Sequence, residues 1–240
     1  MKFIAGKIAD KVNEFYSSGV VVASNFLEPS EVVEVKGVLK NIPFVLYGGF
    51  EKAERKVIFI GVDDDFENFN EYISVIRLLS NAELSHRNVL GSVLGLGLKR
   101  EMIGDILIDG NLCDIIVSKS VTEFLLSNLK YVGREKVSVK EVSLDELIKL
   151  KENFKEIYVS VSSLRIDSII SAGFGISREK SADAVKGELV KVNFMLVKSP
   201  AKAVRLGDVI SVRGKGRLEI AEVGGVTKSG RQKVLILKKN

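Results

Sequence analysis

Cysteine and histidine are almost missing from this 240-residue chain, which has one of each, Cys113 and His86. A single thiol forms no disulfide framework, and one thiol with one histidine cannot close a structural zinc site. His86 has no second histidine and no evident triad to work with, which argues against a catalytic role. No metal, cofactor or small-molecule substrate is expected. Long apolar runs are missing too. None approaches the roughly 20 residues of a membrane helix, and Asp10 breaks MKFIAGKIADKV before a signal-peptide core forms. The expectation is a cytoplasmic protein with no membrane contact. With 46% hydrophobic and 28% charged residues and no excess of proline or glycine, the chain is a folded globular one, long enough for two or three small domains. Asp63-Asp64-Asp65 lacks the alternating oxygens, central glycine and distal glutamate of a calcium loop, and reads as an acidic connector.

The charge is uneven. Residues 157–240 carry 16 Lys+Arg against 7 Asp+Glu, while the rest of the chain carries 20 against 24. A basic segment on an otherwise acidic chain points to a nucleic-acid partner. A membrane surface is the weaker reading, because no basic helix with bulky apolar anchors accompanies the charge.

Along the chain, Ile4, Ile8, Val12 and Phe15 make one apolar helical stripe, ended at Ser17-Ser18-Gly19. Val20 to Val22 is strand-like, a helix capped by Ser30 follows to about Leu39, and Phe44 to Gly61 reads as two strands around YGGFEKAERK. Glu51, Glu54 and Arg55 read as a solvated charge run. From residue 71 a compact unit begins: strand Tyr72 to Leu79, helix Arg87 to Leu98, a strand pair from Gly104 to Val117, helix Ser120 to Leu129 and strand Lys136 to Val142. This β-α-β-β-α-β order is shared by ferredoxin-like and RNA-recognition-motif folds. The RNA-recognition motif stacks bases on aromatics of its central strands, yet LCDIIVS has none. Base reading of the usual kind is therefore not expected here. His86 and Arg87 at one helix start, and Lys99 and Arg100 after its end, are secondary candidates for RNA contact. Leu144 to Phe154 reads as a charged helix bridging to the last domain.

The basic segment opens with two short helices, the first capped by Ser162 or Ser163 and closed by Gly173, the second capped by Ser177 and ended by Gly187. Ile166, Ile169 and Ile170 of the first and Ala182 and Val185 of the second face a core. Helix starts present unpaired N–H groups and a positive dipole end, so they favour anions. Arg165, Arg178 and Lys180 lie there, and cations at such positions make sense if a partner's phosphate supplies the anion. Lys186 extends the surface. Strands with tight glycine turns follow, bearing Arg213, Lys215, Arg217, Lys228 and Arg231. GKG lacks a third glycine and a following helix, which excludes a dinucleotide or P-loop site. The expected RNA-binding residues are thus Arg165, Ser177, Arg178, Lys180, Lys186, Arg213, Lys215, Arg217, Lys228 and Arg231, with no catalytic residue.

LRIDSIIS, ISREKSADAVKGELVKVN and VRLGDVISV resemble the two helices and closing strand of the S-four RNA-binding module, over about a quarter of the chain. Asn193-Phe194 departs from the Asn-Gly that many members have there. FLEPSEV, YGGFEKAERK, SHRNVLGSVLGLGLKREMIGDI, SVRGKGR and TKSGR extend the likeness to the YlmH family across essentially the whole chain. The resemblance implies a multi-domain α+β protein with an N-terminal α/β domain (1–70), an RNA-recognition-motif-like βαββαβ domain (71–156) and an S-four-type module with an extra β-hairpin (157–240). It also implies a bacterial cytoplasmic factor that binds the large ribosomal subunit and tRNA during rescue of stalled translation. Two alternatives stand beside it. Pseudouridine synthases carry the same module, and Gly216-Arg217-Leu218-Glu219 echoes their G-R-L-D, with Glu in place of the nucleophilic Asp. A cell-division interaction protein is the other.

Overall fold

The computed structural model describes residues 2–39, 42–149 and 154–239. The chain forms two compact units, residues 1–150 and 151–240, each mixing helix and sheet. Among the described residues no helix is long and apolar enough to cross a membrane.

In the first unit, helix α1 (Lys2–Ser18) is followed by β1 (Val22–Ala23), α2 (Pro29–Val35), β2 (Phe44–Tyr47) and β3 (Val57–Ile60). The three strands pair antiparallel in the order β1-β3-β2. VIFI of β3 has no polar alternation because both faces of the strand are buried. Ile58 and Ile60 pack with Ile8, Leu27 and Val35 beneath the two helices, while Val57 and Phe59 face a second sheet. That sheet is built from β4 (Ile73–Ser80), β5 (Ile103–Asp109), β6 (Leu112–Ser118), the short β7 (Tyr131–Val132) and β8 (Glu135–Val142), in the order β5-β6-β4-β8-β7. Helices α3 (His86–Gly95) and α4 (Thr122–Asn128) cover its other face. The expected β-α-β-β-α-β unit is thus present, with β7 as an added edge.

The absence of aromatics on β6 has a structural reason. Ile73 and Val75 of β4, Ile116 of β6 and Val142 of β8 form the sheet face where an RNA-recognition motif would stack bases. Here they are packed against Val57, Phe59, Phe66, Phe69 and Tyr72. That face is core.

Several sequence expectations change. Glu28, not Ser30, closes the start of α2, by a reciprocal capping box with Glu31, and the helix stops at Val35. Arg55 is not part of a solvated run. It is buried, its Nε donating to Ile103 O (2.9 Å) and its Nη2 to Phe26 O (3.0 Å) and Arg100 O (3.3 Å). The bridging helix from Leu144 to Phe154 is replaced by one 3-10 turn, Leu144–Glu146, because Leu147 is drawn into the core and the Ile148 N–H donates to buried Asp114 at 2.8 Å. Residues 150–153 of that expectation lie outside the described residues, and Phe154 already begins a strand.

The second unit is β9 (Phe154–Val161), α5 (Ile166–Phe174), α6 (Arg178–Lys186), β10 (Val190–Val192), β11 (Met195–Leu196), β12 (Val209–Val212), β13 (Gly216–Val226) and β14 (Gln232–Lys239). All six strands pair antiparallel in the order β11-β10-β12-β13-β14-β9. Ile166, Ile169, Ile170 and Val185 of the helices pack on Ile210, Val212, Leu218, Ile220, Val234 and Ile236. Helix α5 begins after Arg165, with no side-chain cap, so neither Ser162 nor Ser163 serves. Gly173 does not close α5 but lies inside it, where a Cβ would come within 2.5 Å of Leu218 Cδ1; the helix ends at Gly175, whose φ is 64°. In α6 the fully buried pair is Ser181 and Val185, with Ala182 only half-buried, since the Ser181 hydroxyl is satisfied by Ser177 O at 3.0 Å.

Candidate nucleic-acid interface

The cations at the two helix starts already have an anion. Asp167, 3% exposed, sits in the first turn of α5 and accepts from both arginines. Arg165 donates from Nε to Oδ1 (3.1 Å) and from Nη2 to Oδ2 (3.0 Å). Arg178, at the first position of α6, donates from Nε to Oδ2 (3.1 Å) and from Nη2 to Oδ1 (3.5 Å). Burial works to raise the Asp167 carboxyl, but the hydrogen bonds and charges of the two arginines outweigh it and hold it below the usual carboxylate value. The start of α5 is also closed by the chain itself, its Ile166 and Asp167 N–H groups donating to Lys202 O (2.9 Å) and Pro200 O (3.3 Å). The Ser177 hydroxyl accepts from Lys180 N at 3.2 Å, capping α6. The expectation that a partner's phosphate completes these helix starts is therefore corrected: the chain supplies the anion.

What the cluster still offers is its outer edge. Each guanidinium has five N–H donors in a rigid fork, and the shared carboxylate takes two from each. Three remain on Arg165 and on Arg178, whose side chains are 40% and 49% exposed. Their relative position is locked through one buried group, and one positive charge is left over. Lys180 is exposed beside them.

The other expected residues divide. Lys186 is exposed in the last turn of α6, where a cation offsets the helix dipole. Arg213 and Lys215 are exposed at the β12–β13 turn, and the Arg213 N–H donates to Leu189 O, three residues past Lys186. Arg217 is half-buried, its guanidinium carbon 5.4 Å above the Phe194 ring centroid. Lys228 is exposed at the β13–β14 turn; Arg231 ties that hairpin to β9, its Nε donating to Ser160 O at 3.1 Å. The two glycine turns lie at opposite ends of the 11-residue β13, roughly 35 Å apart at strand rise. Arg231 sits where β14 begins to pair with the end of β9. Lys186, Arg213 and Lys215 belong together elsewhere. Glu219 of the Gly216–Glu219 tetrapeptide lies within β13, opposite Val209 and Leu237.

In the first unit, His86 and Arg87 are exposed at the start of α3, capped by Ser85, whose hydroxyl accepts from Asn88 N at 3.3 Å. Lys99 is exposed. Arg100 turns inward, donating from Nη1 to Ile103 O (2.6 Å) and Gly104 O (3.3 Å), and burial together with neighbouring Arg55 lowers its pKa.

Two family models match, described as "Putative RNA-binding domain in YlmH" over residues 66–146 and "S4 domain" over residues 164–210. A protein of Bacillus subtilis (strain 168), "Ribosome-associated protein quality control protein P2", is 31% identical over 225 residues, 88% of this chain and 84% of that one. This chain belongs to the YlmH family. A solved structure of that family, "Cell division protein ylmH from Streptococcus pneumoniae", is similar at a TM-score of 0.54 over 61% of this chain and 93% of its own, at 22% identity, a likeness of fold.

Of the expected contacts in this YlmH-family chain, Arg165, Ser177, Arg178, Lys180 and Lys186 fall within the S4 match. Arg213, Lys215, Arg217, Lys228 and Arg231 lie beyond it. Sequence reasoning misses Asp167 as the group that organises the cluster. The signal is the R-x-D spacing, where a carboxylate two residues after one arginine and eleven before another can reach both only if the two helices meet. Phe194 stands out in the sequence for its turn and not for its partner.

Proposed function

We propose that this protein is a non-enzymatic RNA-binding factor that acts on the large ribosomal subunit, contacting ribosomal RNA and tRNA, in rescue or quality control of stalled translation in the cytoplasm. The observation that carries the reading is the Arg165–Asp167–Arg178 cluster, a pair of half-exposed guanidinium forks fixed by a buried carboxylate on the most basic part of the chain. Arginine forks match phosphate oxygens, and a locked pair loses little freedom on binding. Exposed Lys180, Lys186, Arg213, Lys215 and Lys228 add phosphate contacts that release counterions. The Bacillus subtilis relative's name supports the ribosomal setting. In this reading residues 157–240 supply affinity, while 1–70 and 71–156 supply placement, with His86, Arg87 and Lys99 as accessory contacts and Arg100 acting from within.

Co-sedimentation with separated ribosomal subunits across a potassium chloride series tests it. Association with the large subunit that weakens steeply with salt is expected, and alanine at Lys180 and Lys215 together should flatten the slope by about 1–2 units. No association with the large subunit at low salt would overturn the reading.

A further inference from the structure

The hairpin joining β10 to β11 carries a backbone conformation that its sequence does not favour. Val192 pairs with Met195, so the turn has two residues, Asn193 and Phe194, with φ of 47° and 67°. Two-residue hairpin turns with positive φ at both positions suit Asn followed by Gly. Asn193 fits: its Nδ2 donates to Asp208 Oδ1 (2.8 Å) and its Oδ1 accepts from Val209 N (2.9 Å). Phe194 does not, because a bulky side chain at positive φ meets a steric penalty that glycine escapes. A residue kept against its backbone preference points to a use for its ring.

The ring's surroundings say which. The Arg217 guanidinium lies over it, and Arg217 Nε donates to Ser211 Oγ at 3.3 Å. Strand register places Lys191, Ser211, Arg217 and Lys239 in one row across β10, β12, β13 and β14, on the face opposite α5 and α6. Lys191 and Lys239 are exposed, as are Met195 and Leu196 beside the turn. Asp208, just before β12, is engaged by Asn193 and by Arg205 N–H, while Glu219 stands in the next row, opposite Val209. An aromatic ring with a guanidinium 5.4 Å over it, set among lysines, has the makings of a base-stacking site with phosphate contacts. We propose that Phe194 and Arg217 form a stacking platform for an unpaired RNA base, with Lys191 and Lys239 on its flanking phosphates. This rests on the RNA-binding reading above, and it adds a site outside the Arg165–Arg178 cluster.

The test uses the full chain and protein-free large-subunit ribosomal RNA. Phe194→Gly removes the ring and the steric penalty together, so its melting temperature should hold or rise while affinity falls about tenfold. Phe194→Leu keeps the bulk without the π-face and should lose as much affinity. Phe194→Trp should bind like the parent, and because the chain has no tryptophan of its own, the variant's fluorescence should be quenched on binding. Parental affinity in both the Gly and Leu variants would overturn the platform while leaving the RNA-binding reading standing. If Phe194→Gly loses stability as well, the Leu variant decides. Failure of the parent protein to bind this RNA would overturn both.

Discussion

The substitution Asp167→Asn separates two roles that the carboxylate could have. Asp167 is a negative charge inside a basic surface, and on charge alone its removal should tighten RNA binding, adding one unit of positive charge and about 0.9 to the salt slope for each phosphate newly engaged. The geometry argues for the opposite sign. Two guanidinium forks converge on one carboxylate whose side chain is 5% exposed. A carboxamide in its place would keep one acceptor oxygen and turn its NH2 toward one of the arginines, so the pair would splay. Hydrogen bonds to charged groups contribute about 1.5–3 kcal/mol, and because both arginines stay well hydrated the net loss of stability should lie near the lower end, about 1–2 kcal/mol. RNA affinity should fall about tenfold, equivalent to about 1.4 kcal/mol, because two independently moving cations replace one fixed pair. Urea unfolding gives the first quantity and RNA titration at several salt concentrations the second. Tighter binding by Asp167→Asn at equal salt would refute the positioning role.

The same substitution has a pH signature. The folded-state carboxyl of Asp167 is held below its ordinary value, so its contribution is fully present above the unfolded carboxylate pKa of about 3.9 and is lost as pH falls through the lower folded value. The stability gap between parent and Asp167→Asn should be constant from neutral pH to about pH 5 and close below about pH 4. A gap that persists unchanged to about pH 2 would show that the charge is not what stabilises.

Further experiments probe each unit. Gly173→Ala places a Cβ 2.5 Å from Leu218 Cδ1, and overpacking should outweigh the better helix propensity, giving a loss of about 1–2 kcal/mol by urea unfolding; a stabilised variant would contradict the close approach. Arg55→Ala strips donors from the carbonyls of Phe26, Arg100 and Ile103 and should destabilise by about 2–4 kcal/mol, whereas Glu51→Ala, at an exposed position, should stay within about 0.5 kcal/mol. The buried Cys113 thiol is pushed up to about 12, chiefly by burial and then by the Asp114 charge, so a thiol reagent at about pH 8 should label it only as fast as the chain opens; prompt labelling of the native protein would count against its place in the core.

What was legible in the sequence is what periodicity and punctuation write locally. The Ile4, Ile8, Val12, Phe15 stripe, the β-α-β-β-α-β order and the Ser177 cap all appear where the spacing puts them. What was not legible depends on contacts distant in sequence. Arg55 looks like any residue of a charged turn until Phe26, Arg100 and Ile103 bring three carbonyls around it. Gly173 and Gly175 are both plausible helix ends, and the choice is made by Leu218 pressing on the first. The two glycine turns carry similar cations, and nothing in their local composition announces that β13 holds them at opposite ends.

The same physical pattern governs both units: positions where a ligand would ordinarily sit are filled by the chain. Phe59 and its aromatic neighbours occupy the sheet face that could have stacked bases, and Asp167 occupies the anion position between two helix starts. What remains for a partner is the periphery of each feature, the outer edges of guanidinium forks and isolated lysines. Such groups meet phosphates by charge and read no base edges. Binding built from them alone is strong at low salt and indifferent to sequence. Any discrimination between paired and unpaired RNA must then come from a π-surface, and in the basic unit the Phe194 ring beneath Arg217 is set among cations in a way that can supply it. The steric penalty of its turn is consistent with that use, since nothing in the hairpin's own hydrogen bonding requires a phenylalanine there.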